Sequence, residues 1–159
     1  MEIFNASSRL TAEASMSFAK PPRKVTFNQG ERLYRLVTIV EKGFAGQHIL
    51  ASPWWIPPAT YAQITKTAYR TGKTGTDVAR AGLSVAFSWN PKMDWLTILE
   101  LKKAVYGWVG PAKPQPLYPS NRAVLSLGNL DQAYVPDLAP EGAHSSDAAS
   151  IMYFGVALG

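Results

Sequence analysis

Two side chains suited to recognising a charged ring and its phosphates stand far apart in this sequence. One is Arg35, embedded in the strand-like run RLYRLVTIV; the other is Gln132, just past a turn in LGNLDQAYVPDL. An arginine among apolar neighbours must find an anion or several acceptors, because it does not readily shed its charge. An amide can hydrogen-bond a ribose hydroxyl and orient a departing ring, but it is no general base at neutral pH. Between them lies Ser52-Pro53-Trp54-Trp55, where either indole could stack on a nicotinamide or adenine ring and Ser52 could position a ribose or amide. Arg80 is a second candidate phosphate partner. Trp108 sits between Gly107 and Gly110, small residues that permit close approach of a ligand or another backbone. Each residue also has an ordinary use: Arg35 paired with a carboxylate at a sheet edge, one tryptophan in the core, Arg80 solvated at the surface.

Other chemistries find little to work with. The chain has no cysteine, which excludes disulfides, thiolate nucleophiles and cysteine-ligated metals. His48 and His144 lack metal-ligand spacing, so no metal is expected. There is no GxxxxGKS/T, GxGxxG or GxSxG motif. Glu100, Asp131, Asp137 and Glu141 are not paired by spacing, and Asp131 would face away from Gln132 on a shared strand.

The elements that must position these groups belong to one domain by size, since 159 residues build one core but not two. A hydrophobic fraction of 47% with 11% aromatics indicates a folded globule. Net charge of +5 and a pI near 9.5 favour an anionic partner, yet the basic residues are scattered, which argues against nucleic acid. No run approaches the roughly 18 apolar residues of a membrane span. The N-terminus lacks the basic start and apolar block of a signal peptide, so export would need another route.

Residues 1–24 read as a leader or flexible arm with a helical turn near Thr11 to Phe18, followed by a single domain over 25–159. Arg32 to Val40 is the first expected core strand, with Leu33, Arg35, Val37 and Ile39 on one face. Three prolines argue against regular structure in Ser52 to Pro58. Thr60 and Gln63 predict a capped helix from Tyr61 to about Tyr69. Further expectations are a strand at Leu83 to Phe87, a short helix or extended turn near 94–101, and a strand at 103–109. Gly110-Pro111 to Pro119 reads as proline-rich loop, with short strands at Ala123 to Leu125, Gln132 to Pro136 and Ile151 to Leu158. The sum is an α+β fold with a compact mixed, mainly antiparallel sheet and few short helices.

Taken in order, the first-strand arginine, SPWW at Ser52, RAGL at Arg80, YGWVGPA at Tyr106 and GNLDQAYVP at Gly128 resemble a C-terminal toxin domain of the ADP-ribosyltransferase-like superfamily. The resemblance spans roughly residues 32–138 and is nearest to the NAD-glycohydrolase branch typified by the tuberculosis necrotizing toxin. Gln132 falls at that branch's glutamine, and Arg35 or Arg80 near its arginine. The resemblance implies an ADP-ribosyltransferase-like fold and NAD as substrate, with Gln132 and Arg35 catalytic and Ser52, Trp54, Trp55, Arg80 and Trp108 binding the dinucleotide. It also implies a bacterial effector that is secreted or delivered into a target cell by a non-classical route, with a cognate immunity protein. The glycine-rich turn is reduced to Gly128-Asn129-Leu130, which would leave Asn129 to take any left-handed geometry. The acidic signature of protein-modifying transferases is not evident, so NAD hydrolysis is easier to defend than mono-ADP-ribosyl transfer to a protein or nucleic acid. The residues alone also allow a noncatalytic protein-binding module using its tryptophans as an interface, or an aromatic and basic RNA binder.

Overall fold

Period-two patterning produces most of this chain's structure, although both faces of several strands are buried. The computed structural model describes residues 2–38, 50–85, 89–90, 92–118, 121–140 and 146–156, with backbone alone for 121–125. Along these residues run α1 (Ala12–Ser15), β1 (Arg23–Phe27), β2 (Arg32–Val37), β3 (Trp54–Trp55), α2 (Pro58–Thr71) and α3 (Gly75–Leu83). Then come β4 (Trp95–Leu101), β5 (Val105–Pro111), β6 (Pro116–Tyr118), β7 (Asn121–Leu125), β8 (Asp131–Tyr134) and β9 (Ala149–Val156). The architecture is α+β, and every pairing between these strands is antiparallel.

Two sheets, ordered β1-β5-β8-β3 and β2-β4-β9, lie face to face, with β6 and β7 forming a separate ribbon. Phe27, Leu33, Trp55, Leu99, Val105 and Ala133 fill the space between the sheets. Leu36 and Leu96, on the far face of the three-stranded sheet, pack under Ile64 of α2 and Ala79 and Leu83 of α3. On the far face of the other sheet, Trp108 and Tyr134 are covered by Ala14 and Phe18. Burying each large apolar side chain contributes roughly 1.5–3 kcal/mol, and the three clusters make four layers.

The outermost layer is the segment expected as an arm. Asn5 is buried and donates through Nδ2 to the Tyr106 and Pro136 carbonyls at 3.0 and 2.9 Å, while Oδ1 accepts from Tyr106 N at 2.7 Å. Ala19 N donates to the Pro111 carbonyl at 2.9 Å, and Arg23 already opens β1. A side chain satisfying three backbone groups, together with the buried Phe18 ring, holds residues 2–22 against β5.

Several expected elements take a different form. Trp95–Leu101 is a strand, not a helix or turn: Leu96 faces the helices while Leu99 and Leu101 face the other sheet. A central strand buried on both sides loses the polar alternation that would mark it. The strand expected from Leu83 is instead the end of α3, whose N-cap Thr74 accepts from Asp77 N at 3.1 Å; residues 86 and 87 lie outside the described residues. Helix α2 starts earlier than expected, with Pro57 at the N-cap and Pro58 at N1, where a missing N–H costs nothing. Thr60 is therefore a buried first-turn residue rather than a cap. Trp54 and Trp55, expected to be irregular, form a two-residue strand on Tyr134 and Ala133. Pro116–Tyr118, expected as loop, pairs with β7. Ile39, Val40, His48, Glu141 and His144 lie outside the described residues.

Candidate functional site

Arg35 sits on the inner face of β2, opposite Thr97 of β4. Its guanidinium lies 3.7 Å from the centroid of the Trp55 ring, donates through Nε to the Trp54 carbonyl at 2.8 Å and through Nη2 to the Ser52 carbonyl at 2.7 Å. Desolvation by burial pulls its pKa well below the ordinary guanidinium range, to about 9, so it is positive at neutral pH. The bond between Tyr34 N and the Ile56 carbonyl, 3.0 Å, joins the two sheets just beyond this cation. Arg35 thus fastens the SPWW segment to the three-stranded sheet while holding a positive charge against apolar walls.

Gln132 reaches the same place from the other sheet. It pairs with Gly110 on β5, and its Nε2 donates to the Ser17 carbonyl at 2.9 Å. Lys113 N donates to that same carbonyl at 3.0 Å. The docked N-terminal segment therefore fixes the amide, and Oε1 of Gln132 has no partner among the described residues.

A cleft of about 350 Å³ brings Arg35, Ser52, Trp54, Trp55 and Gln132 together. It continues past Gln132 into a second arm of about 290 Å³, whose lining includes Ser17, Ser84, Lys113 and Gln115. Trp54, Leu83, Val85, Trp89 and Gln132 border both arms. Among the described residues no carboxylate lines either arm. A larger hollow of about 470 Å³ between α2 and α3 contains none of the residues expected to act on or bind a dinucleotide.

The two tryptophans have different surroundings. Trp55 is 2% exposed, with one face covered by Arg35 and Nε1 unpartnered among the described residues. Trp54 is half-buried, tilted against Phe18 at 5.7 Å and Tyr134 at 5.1 Å between ring centroids. Trp89 is 66% exposed at the border of the two arms.

Arg80 and Trp108 do not line the cleft. Arg80 is buried at the end of α3 and donates to the Val85 carbonyl at 3.3 Å and the Asn90 carbonyl at 2.8 Å. Burial lowers its pKa, with Asp77 acting in the opposite sense. It ties Val85 to Asn90, on either side of Trp89 in the sequence. Trp108 packs with Ala14, Phe18 and Tyr134, and Gly107 and Gly110 admit the Phe27 ring and Pro22 rather than a ligand. The positive φ of the late turn falls on Gly128 at 60°, where a Cβ would lie 2.5 Å from the Ala112 carbonyl oxygen, and not on Asn129. Ser84 and Lys113 were not singled out from the sequence; a serine at a helix end and a lysine in a proline-rich loop carry no distinguishing spacing.

No family model matches the chain, and no curated protein matches it. Among solved structures, one titled Rhs1-CT in complex with cognate immunity protein RhsI1 aligns at a TM-score of 0.48 and 13% identity, covering 86% of this chain and 82% of that one. No helix among the described residues is long and apolar enough to cross a membrane.

Proposed function

We propose that this chain is an NAD-consuming toxin domain that cleaves the nicotinamide–ribose bond as an NAD glycohydrolase. The observation that carries the reading is the single cleft uniting Arg35, Ser52, Trp54 and Gln132 from three separated segments. The sequence resemblance supplies the substrate class. In this reading Trp54 stacks on the nicotinamide, because Trp55 already has its face against Arg35.

Gln132 sits at the junction of the two arms, where Oε1 can hold a ribose hydroxyl while the glycosidic bond lengthens. The bonding pair leaves with the nicotinamide nitrogen and neutralises the ring. Water adds to the ribose carbon and releases a proton to solvent, giving nicotinamide and ADP-ribose. The transition state is cation-like at the ribose, so oriented dipoles and exclusion of bulk water assist without a strong base. The lack of a carboxylate among the described lining residues suits this route better than transfer to a macromolecular acceptor. The same reading carries a cognate immunity protein as partner and delivery into a target cell.

Purified protein should consume NAD and release nicotinamide, with turnover lost in Gln132→Ala while its circular dichroism and unfolding midpoint stay near wild type. Unchanged turnover in that variant removes Gln132 from the mechanism. No consumption by the wild-type protein overturns the reading and leaves a binding module with an exposed Trp89.

A further inference from the structure

We infer that the arm of the cleft beyond Gln132 is a subsite for a purine base, with Trp89 as its stacking wall and Gln115 as the group that reads the base edge. Assigning this base to the adenine of a dinucleotide rests on the glycohydrolase reading; the subsite itself rests on the residues that build the arm.

Trp89 is 66% exposed and contacts no other aromatic ring among the described residues. Its neighbour Asn90 is nonetheless clamped from three sides. The Asn90 carbonyl accepts from buried Arg80 at 2.8 Å, its Nδ2 donates to the Leu36 carbonyl at 2.9 Å, and its Oδ1 accepts from the Thr38 hydroxyl. Thr38 Oγ1, itself buried, accepts from the amides of Lys92 and Met93 at 2.9 and 3.0 Å. A cation and a hydroxyl are costly to bury, and here both hold the backbone beside an indole left in water. Core packing does not account for that indole, whereas a planar ligand in the cleft does.

The rest of the arm suits an uncharged flat group. Five residues border both arms of the cleft, and four of them, Trp54, Leu83, Val85 and Trp89, are apolar. Lys113 is the one charged residue lining the arm among the described residues. A purine is neutral at neutral pH, and stacking it on an indole leaves its hydrogen-bonding edge to be met. Gln115, half-buried on the arm, is held at its N–H and its carbonyl by Ser126 Oγ and Ser126 N, each at 2.9 Å. Its side-chain amide has no partner among the described residues. Such an amide donates and accepts at once, which matches the N7 and amino group of adenine.

Exposure decides which ring of a dinucleotide goes where. The ring that departs must be shielded from bulk water, and half-buried Trp54 suits it. The ring that does not react has no such need and takes the exposed indole.

The test titrates isotope-labelled protein with adenosine monophosphate, and a second sample with nicotinamide mononucleotide. The Trp89 indole N–H, assigned by its loss in Trp89→Phe, and the Gln115 side-chain amide should shift with the first ligand and stay in place with the second. Trp89→Ala should weaken adenosine monophosphate binding about tenfold and Trp89→Phe restore most of it, while Gln115→Ala weakens it about threefold. Trp89 is exposed, so its replacement leaves the unfolding midpoint in place and lost binding reports on the ring. In kinetics, Trp89→Ala should cut the preference for NAD over nicotinamide mononucleotide about tenfold. Absent saturable binding, or binding indifferent to Trp89→Ala, overturns the subsite, as does nicotinamide mononucleotide moving the same resonances. Adenosine monophosphate bound here by a protein that leaves NAD intact keeps the subsite and ends the glycohydrolase reading. NAD hydrolysis whose preference survives Trp89→Ala does the reverse.

Discussion

The guanidinium of Arg35 lies flat enough over the Trp55 ring to sit 3.7 Å from its centroid, while two of its nitrogens grip the carbonyls of Ser52 and Trp54. One side chain thus joins β2 to the SPWW segment and brings a positive charge to the lining of the cleft. Arg35→Lys keeps the charge but loses the planar fork. We expect it to lower unfolding stability by about 1–3 kcal/mol in urea titrations and to reduce NAD turnover. A variant as stable as wild type would mean the fork contributes little to the fold.

The depressed pKa of Arg35 makes a prediction with a definite sign. As pH rises through about 9 the folded protein loses this charge, whereas the unfolded chain keeps it to higher pH. The unfolded state then binds the extra proton, so this group's contribution to stability increases with pH above about 9 and is constant below it. Affinity for an anionic ligand moves the other way. KM for NAD should therefore climb between pH 8 and 9.5 without a matching loss of thermal stability, a divergence readable by kinetics and calorimetry on one sample series.

Asn5 closes three hydrogen bonds to β5 and to the segment after β8. Replacing it with alanine strands a buried N–H and two carbonyls, at a cost of about 3 kcal/mol. Because the same segment presents the Ser17 carbonyl to Gln132, turnover should fall in kcat more than in KM. An Asn5→Ala protein with normal kcat would show that the amide holds its place unaided.

Gly128 and Asn129 should respond in opposite ways to substitution. Gly128→Ala forces a Cβ toward the Ala112 carbonyl at positive φ and should destabilise the chain by about 2 kcal/mol or more. Asn129→Ala needs no such geometry and should be close to neutral at the backbone. Equal unfolding midpoints for the two variants would contradict the assigned turn.

Residue type made part of the site legible. An arginine in an apolar strand and a tryptophan pair flanked by prolines are costly unless something uses them, and the structure does bring Arg35, Ser52, Trp54, Trp55 and Gln132 to one cleft. Spacing could not show that Arg80 turns inward to hold Val85 and Asn90, because a helix end was read as a strand start. Nor could it show that Trp108 faces Phe18 rather than a ligand, since Phe18 belongs to a segment with no sheet pattern of its own. Strand Trp95–Leu101 was hidden because burial on both faces erases alternation.

The side chain of residue 5 is knotted to the carbonyl of residue 136, and the amide it helps to place belongs to residue 132. Order of synthesis therefore governs when the cavity can exist. A ribosome that has released everything up to β7 has made Arg35, Trp54 and Trp55, but neither the Gln132 amide nor the Pro136 carbonyl that clamps the first layer. Until β8 is made, the cleft lacks the side chain that borders both of its arms.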